Sequence, residues 1–443
     1  VLKVKLVSFI QKTITDIIGI VTSRQRIKQL LGNSLYRNAL YLLFTNIVTP
    51  ATGFVFWIIV ARVYKTEDVG IASALISALG VIWLVANLGL GAGIVRFLPQ
   101  AGNKSSAMIN TVFTTTGLAS IIVSGVFVAG LSFWSPKLLF LQHDFIYLFA
   151  FIAFAVCNGL MMMSDWPFIA YRKSNFTLVK GLVFGLLRLP LVIPLVAVFG
   201  ASGIFASWGL STLVSFAVSV FLFLPRVQPD YRPFPFISRS VLSDILPYSL
   251  ANNVSGLLWY LPTSILPIMV LNLVGTEANA YFYIAWIVGG VLTAIPIAAS
   301  SALFAEGSHN ERELSQHFWR SIKLTFLILI PSVIVVIAIA DKLLLLFGSS
   351  YSSSGVTLLR ILALSALPMS INYLYMALNR VQKNLKMLIS LSSFIMVASL
   401  AFSYWLLPLM GVNGAGLAWL GSQTIIAIAI IIGFLMRRPL LRE

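Results

Sequence analysis

The chain has 443 residues, 59% of them hydrophobic and only 10% charged, with a mean hydropathy of +0.96. That composition excludes a soluble globular core and marks an integral membrane protein. The net charge of +17 would suggest a nucleic-acid partner in a soluble protein, but here the basic residues alternate with apolar spans and read as membrane topology, so no nucleic acid is expected. A single cysteine, Cys157, excludes an intrachain disulfide. Three scattered histidines (His143, His309, His317) argue against a zinc or histidine-based catalytic centre, and no cofactor is expected.

Residues 1–32 do not pattern as a signal peptide, because Gln11 and Lys12 break the apolar run. Leu6, Ile10, Ile14, Ile17 and Val21 fall at helical spacing with Lys5, Ser8, Lys12 and Asp16 between them, which predicts an amphipathic helix lying on the inner leaflet. Apolar spans follow at about 38–62, 69–93, 107–133, 145–170, 175–199, 203–224, 243–273, 279–305, 318–340, 356–378, 385–408 and 414–436. Each is long enough to cross a hydrocarbon layer of ~30 Å. Alternating segments of ~10 residues, as a membrane barrel would need, do not occur.

Charge placement orients these spans. With the N-terminus cytoplasmic and Lys180 counted at the inner end of span five, 24 of the 30 Lys and Arg residues fall on the inner side. Only Arg62, Lys65, Lys137 and Lys342 fall outside. The asymmetry predicts a multi-pass protein of the cytoplasmic (plasma) membrane with both termini inside. The outer loops are too short for an extracytoplasmic catalytic domain, so the chain is not expected to be an enzyme. Glu67 and Asp68, the acidic pair on that side, suit the N-terminus of span two.

The chain repeats itself. Gly200-Ala-Ser-Gly203 with Trp208 returns as Gly411-Val-Asn-Gly414 with Trp419, and Leu224-Pro-Arg226 as Leu435-Met-Arg437, both at an offset of 211. Thr66-Glu67 returns as Thr276-Glu277, and Arg172 after span four is matched with Arg380 after span ten. An even number of spans per repeat makes the repeats parallel, with a substrate cavity between them. The expected fold is therefore an all-α polytopic membrane protein of 12 transmembrane helices, in two parallel six-helix repeats around a central cavity. The lobes are 33–224 and 241–443, and the Pro-rich inner loop 225–240 is a stiff linker between them. Small residues crowd span two (Gly70 to Gly80) and recur at Gly289, Gly290 and Ala298–Ser301 in span eight, where they suit close helix packing. Pro50, Pro262, Pro267, Pro296, Pro331 and Pro368 mark where spans can bend.

Arg188, near the centre of span five, has no acidic residue within 20 positions. Arginine at mid-depth costs about 2.5–3.5 kcal/mol on insertion scales, so it must face a polar cavity. One reading is that it serves backbone carbonyls freed by Pro190 and Pro194; the sharper one is that its counter-charge is the cargo. Lys180, nearer the cytoplasm, extends a cationic track toward it. Arg360 in span ten and Arg37 at the inner entrance of span one are further candidates for binding an anionic substrate. Asp165 is expected to pair with Arg172, with proton or ion coupling as its alternative role. No span carries an acidic residue at mid-depth, which favours an anionic lipid over a drug cation as substrate.

The stretches NSLYRNALYLLFTN, ARVYKTEDVGIASAL and LVANLGLGAGIVRFLP, between Asn33 and Pro99, resemble the opening of the Wzx-type polysaccharide flippases. These belong to the multidrug/oligosaccharidyl-lipid/polysaccharide (MOP) exporter superfamily. The segment ALNRVQKNLKMLISL and both Gly-x-x-Gly-x-x-x-x-Trp turns fit the same pattern. The resemblance implies two six-helix lobes working by alternating access. It also implies a polyprenyl- or dolichyl-pyrophosphate-linked oligosaccharide as cargo, moved from inner to outer leaflet, with membrane lipids and polysaccharide-assembly enzymes as partners and a monomer as the working unit. Drug-exporting (MATE) relatives carry an acidic cation site in span one or seven. Here span one offers Asn46 and Thr45, and span seven Asn252 and Asn253 at depth with Asp244 at its inner edge. A cation-coupled drug exporter and, further off, an enzyme of lipid-linked sugars are the alternatives.

Overall fold

Apolar stretches of roughly 25 residues, interrupted by short polar or glycine-bearing turns, satisfy their backbone groups internally only as helices. The computed structural model describes residues 34–309 and 313–437, and among them there is no strand. Among the described residues twelve helices are long and apolar enough to cross a membrane, the first six being α1 (Arg37–Val63), α2 (Thr66–Ala86), α3 (Gly102–Ala129), α4 (Phe145–Ala170), α5 (Asn175–Phe199) and α6 (Gly203–Val227). The second six are α7 (Arg239–Leu273, crossing over Asn253–Leu273), α8 (Thr276–Ser308), α9 (Leu314–Ala338), α10 (Ser349–Val381), α11 (Leu385–Met410) and α12 (Val412–Met436). The interfacial helix expected over 1–32 lies outside the described residues.

Two boundaries move by seven residues: span ten begins at Ser349 and not at 356, and span two ends early. The apolar pattern carries span two to residue 93, but the helix stops at Ala86. The Asn87 amide donates back to the carbonyls of Trp83 and Leu84 and accepts from the Gly89 N–H at 2.8 Å, an Asx turn that ends the helix. Leu88 and Gly89 then take positive φ before a short helix, Leu90–Phe97.

The turns confirm the repeat and correct its register in one place. Gly200 and Gly411 both have positive φ, 51° and 58°, and each donates its N–H four residues back, to Val196 and Leu407. At the other face, Arg172 (φ 55°) and Lys383 (φ 56°) are the matching left-handed residues, again 211 apart. Their N–H groups donate to Ile169 and Arg380, themselves 211 apart. The counterpart of Arg172 is therefore Lys383, and Arg380 corresponds to Ile169. A basic residue is common at such ends, so composition alone offered the wrong partner.

Within the first six helices α1 packs on α5, α5 on α6, and α3 and α6 on α4. Among the second six, α7 and α12 pack on α11, while α8, α9 and α12 surround α10. α2 joins the two sets by lying along both α7 and α8. Gly70 sits against the Thr276 carbonyl and Gly93 against Ile245 and Ser249, so any side chain there would force the helices apart. The Asn279 amide crosses the joint, donating to the Gly70 carbonyl at 2.7 Å and to Ser73 at 3.1 Å. α1 meets the second set at its far end, through Phe54 against Phe347, Trp57 against Tyr283, and Arg62 donating to the carbonyls of Leu345 and Leu346. Nearer its start, Leu43, Phe44 and Ile47 are exposed.

The proline-rich connection between α6 and α7 is held in place by α3. Asn110 donates to the Arg232 carbonyl at 2.8 Å, and Thr114 and Thr111 accept from the N–H groups of Phe236 and Ser238. A segment whose prolines cannot join a backbone ladder is thereby registered by side chains. Tyr231 is buried in the adjacent core, and burial pushes its phenol well above the usual range.

Candidate functional site

Arg188 is the largest fully buried side chain, 2% exposed, midway along α5. Its guanidinium carbon lies 4.6 Å from the ring of Phe184, 4.9 Å from Phe56 and 4.8 Å from Trp208. Phe184 precedes it by one helical turn and so shares its face, while Phe56 comes from α1 and Trp208 from α6. Three ring faces form a cage for the cation, each such contact being worth about 0.5–2 kcal/mol depending on desolvation. The Tyr283 phenol of α8 is its electrostatic neighbour from the second set of helices.

The cage does not neutralise the charge. Among the described residues no carboxylate lies within 4.0 Å of Arg188, and its buried Nε has no hydrogen-bond partner. Nor is Arg188 found bonded to the carbonyls released by Pro190 and Pro194. A guanidinium carries five donors and no acceptor, so most of its bonding capacity is uncommitted. Gly53 on α1 covers it: a methyl group built there would stand 3.2 Å from a terminal nitrogen. The close approach of α1 to α5 continues through Thr49 against Gly181 and Thr52 against Gly185.

The other expected site residues are dispersed. Lys180 does not extend a free cationic track. It is 4% exposed, paired with the Asp165 carboxylate at 2.6 Å and donating to the Met161 carbonyl at 2.8 Å. Asp165 accordingly pairs with Lys180 and not with Arg172, which projects from the α4–α5 turn in a left-handed conformation. Four helical turns' worth of sequence separates the partners, and only the packing of α4 on α5 brings them together. Arg360 is exposed on α10, donating to the Ile337 carbonyl in the last turn of α9, where a cation suits the helix C-terminus. Arg37 is exposed at the start of α1. Neither joins Arg188. Among the described residues no group of three or more His, Cys, Asp or Glu could hold a metal ion.

The profile of the polysaccharide biosynthesis protein family matches residues 35–305, more than half of the chain. The chain belongs to that family. A second profile, MatE, matches residues 249–405. No curated protein sequence matches the chain. Among solved structures, it is similar to the lipid II flippase MurJ in an inward closed conformation, with a TM-score of 0.72 at 12% identity over 89% of this chain and 87% of that one. An inward-facing multidrug resistance MATE family transporter of the MOP superfamily matches with a TM-score of 0.65 at 18% identity, over 90% and 97%. A Pyrococcus furiosus MOP transporter, described as having a binding pocket of reversed polarity, matches with a TM-score of 0.59 at 18% identity over 94% and 98%. At such identities the likeness establishes the fold. With its family, this membrane protein is a member of the MOP transporter superfamily.

Proposed function

We propose that this family member flips a lipid-linked oligosaccharide from the inner to the outer leaflet of the plasma membrane, with Arg188 receiving the phosphate-bearing headgroup. The observation that carries the reading is a buried guanidinium held by aromatic rings with no carboxylate beside it. A desolvated cation with spare donors is matched by phosphate oxygens, which accept two parallel bonds from its planar fork. The cage holds the charge while no headgroup is present, and a shift of α1 that carries Gly53 away from the guanidinium exposes it. Pro50, one turn earlier, gives that helix a place to bend. Cation export fits less well, because Lys180 already neutralises Asp165 in α4.

The test is flipping of a fluorescent polyprenyl pyrophosphate in reconstituted vesicles. Arg188→Ala should abolish it at normal protein levels, and Arg188→Lys should keep part of it, since a lysine supplies the charge without the fork. Full activity of the alanine variant would remove Arg188 from the mechanism.

A further inference from the structure

The two halves have diverged at the position of Arg188. Adding the repeat offset places Ser399 there, fully buried and donating to its own helix at Met396. Trp208, which closes over the guanidinium, corresponds to Trp419. Trp419 instead borders an open cavity of about 260 Å³ between α7, α8, α10 and α12. Its other walls include Trp259, Tyr260, Trp286 and Tyr373, and Trp286 meets Trp419 edge to face at 5.1 Å. Tyr260 is 48% exposed at its mouth.

The polar groups around these rings have a definite sense. Thr263, Thr293 and Ser365 each donate their hydroxyl proton to a carbonyl three residues back, at 2.6–2.7 Å. What remains on those oxygens is acceptor capacity. The Trp259 indole N–H donates to the Tyr373 hydroxyl at 3.1 Å, which leaves the phenol proton free to donate. No carboxylate lines the cavity. The rings could face a cation as they do at Arg188, but no carboxylate is there to neutralise one, so a cationic guest is the competing outcome that the test must separate. A neutral polyol ring, apolar on its C–H faces and rich in hydroxyl donors at its edge, matches both the aromatic walls and the acceptors. The volume lies just below the ~300–1,000 Å³ of drug-sized pockets, room for one ring and not for a chain of them.

We propose that this cavity is a saccharide subsite holding one pyranose unit of the cargo, on the opposite half of the molecule from the arginine that receives the headgroup. The assignment rests on the flippase reading for its biological meaning, but the site is testable by itself. Gly290 lines the cavity, and a Cβ built there meets nothing within 4 Å. Gly290→Leu therefore starts from an unobstructed Cβ and extends its side chain from the cavity wall.

The experiment is saturation-transfer NMR on the full chain in lipid nanodiscs, with glucose, galactose, mannose, rhamnose and N-acetylglucosamine as probes and tetraethylammonium as the cationic control. At least one sugar should show saturable transfer to its ring protons at millimolar concentration. Gly290→Leu should abolish that signal at an unchanged melting temperature, and Tyr373→Phe should weaken binding about three- to tenfold. No transfer to any sugar, transfer that persists in Gly290→Leu, or binding of tetraethylammonium alone would overturn the subsite. Arg188→Ala should leave sugar binding intact. A protein that flips pyrophosphate lipid but binds no sugar keeps the flippase reading and loses this one. A protein that binds sugar but flips normally without Arg188 does the reverse.

Discussion

Lys180 and Asp165 form a buried ion pair across α4 and α5, with the ammonium 2.6 Å from the carboxylate and also bonded to the Met161 carbonyl. Removing one partner strands the other charge in a medium that solvates it poorly. Asp165→Asn should therefore destabilise the fold by about 3 kcal/mol, the lower end of the range for breaking buried pairs, because the Asp165 side chain keeps 24% of its exposure. The double variant Asp165→Asn, Lys180→Met should recover most of that loss, since an apolar replacement of both charges leaves nothing unpaired. Thermal unfolding in detergent reads the stability, and vesicle flipping reads the role. A double variant that folds but no longer transports would return Lys180 to the anion path.

This pair also shows where sequence reasoning stopped. The absence of acids within 20 positions of Arg188 correctly isolated it, because along one helix only near neighbours in sequence can meet. For Lys180 the counter-ion did lie within such a window, 15 positions earlier, but on the preceding helix, and nearness in sequence had matched Asp165 with Arg172 instead. Span number, span order and the duplicated glycine turns were legible because each is fixed by local hydropathy or backbone sterics. The ring cage was not, since Phe56 and Trp208 reach Arg188 from two other helices. Phe184, one turn before the arginine, was the signal within reach. Gly290 read as a packing glycine beside Gly289, and only the second of these packs: a Cβ on Gly289 would stand 3.1 Å from Leu362.

Gly200 and Gly411 provide a test of the repeat in energetic terms. Both combine positive φ with strongly negative ψ (−128° and −145°), a region closed to residues with a Cβ. A Cβ at either position meets nothing within 4 Å, so substitution exposes the backbone cost alone. Gly200→Ala and Gly411→Ala should each lose about 1–3 kcal/mol and by similar amounts. Gly125→Ala, in the interior of α3 and equally free of neighbours, should gain up to about 1 kcal/mol. Equal stability of all three variants by thermal unfolding would contradict the shared turn geometry.

Gly53 should separate stability from transport. Alanine in the middle of α1 favours the helix by up to about 1 kcal/mol. Its methyl group would stand 3.2 Å from the Arg188 guanidinium, close enough to shift that flexible end by a few tenths of an ångström. Gly53→Ala should therefore melt no lower than the parent protein while flipping at least several-fold more slowly, and Gly53→Val should flip more slowly still. Unimpaired flipping in both would mean that the guanidinium does not depend on this contact with α1.

Asn279 fastens the joint between the halves at the face away from the basic loops. Its amide donates to the Gly70 carbonyl and to Ser73, so a conformational change that parts α2 from α8 must break both bonds. The side chain is fully buried, and its own Oδ1 has no partner, so the amide is only half satisfied where it stands. Removing it by Asn279→Ala costs the two bonds, about 1–3 kcal/mol once the stranded acceptors are counted. That energy is lost from the closed arrangement, while an open one, with the joint already parted, loses none. The equilibrium should therefore move toward opening at that face by about 5- to 150-fold, the factor that 1–3 kcal/mol corresponds to. A reporter cysteine at Lys137, beside the joint where its N–H bonds Asn272, placed in a Cys157→Ala background, should react faster with a membrane-impermeant maleimide in the Asn279→Ala protein. Gly70 gives the control: Gly70→Ala drives a methyl group into the Thr276 carbonyl and should raise the labelling rate by the same route, though every hydrogen-bonding side chain is kept. Should neither substitution alter the labelling rate, the α2–α8 joint would not be what holds that face shut.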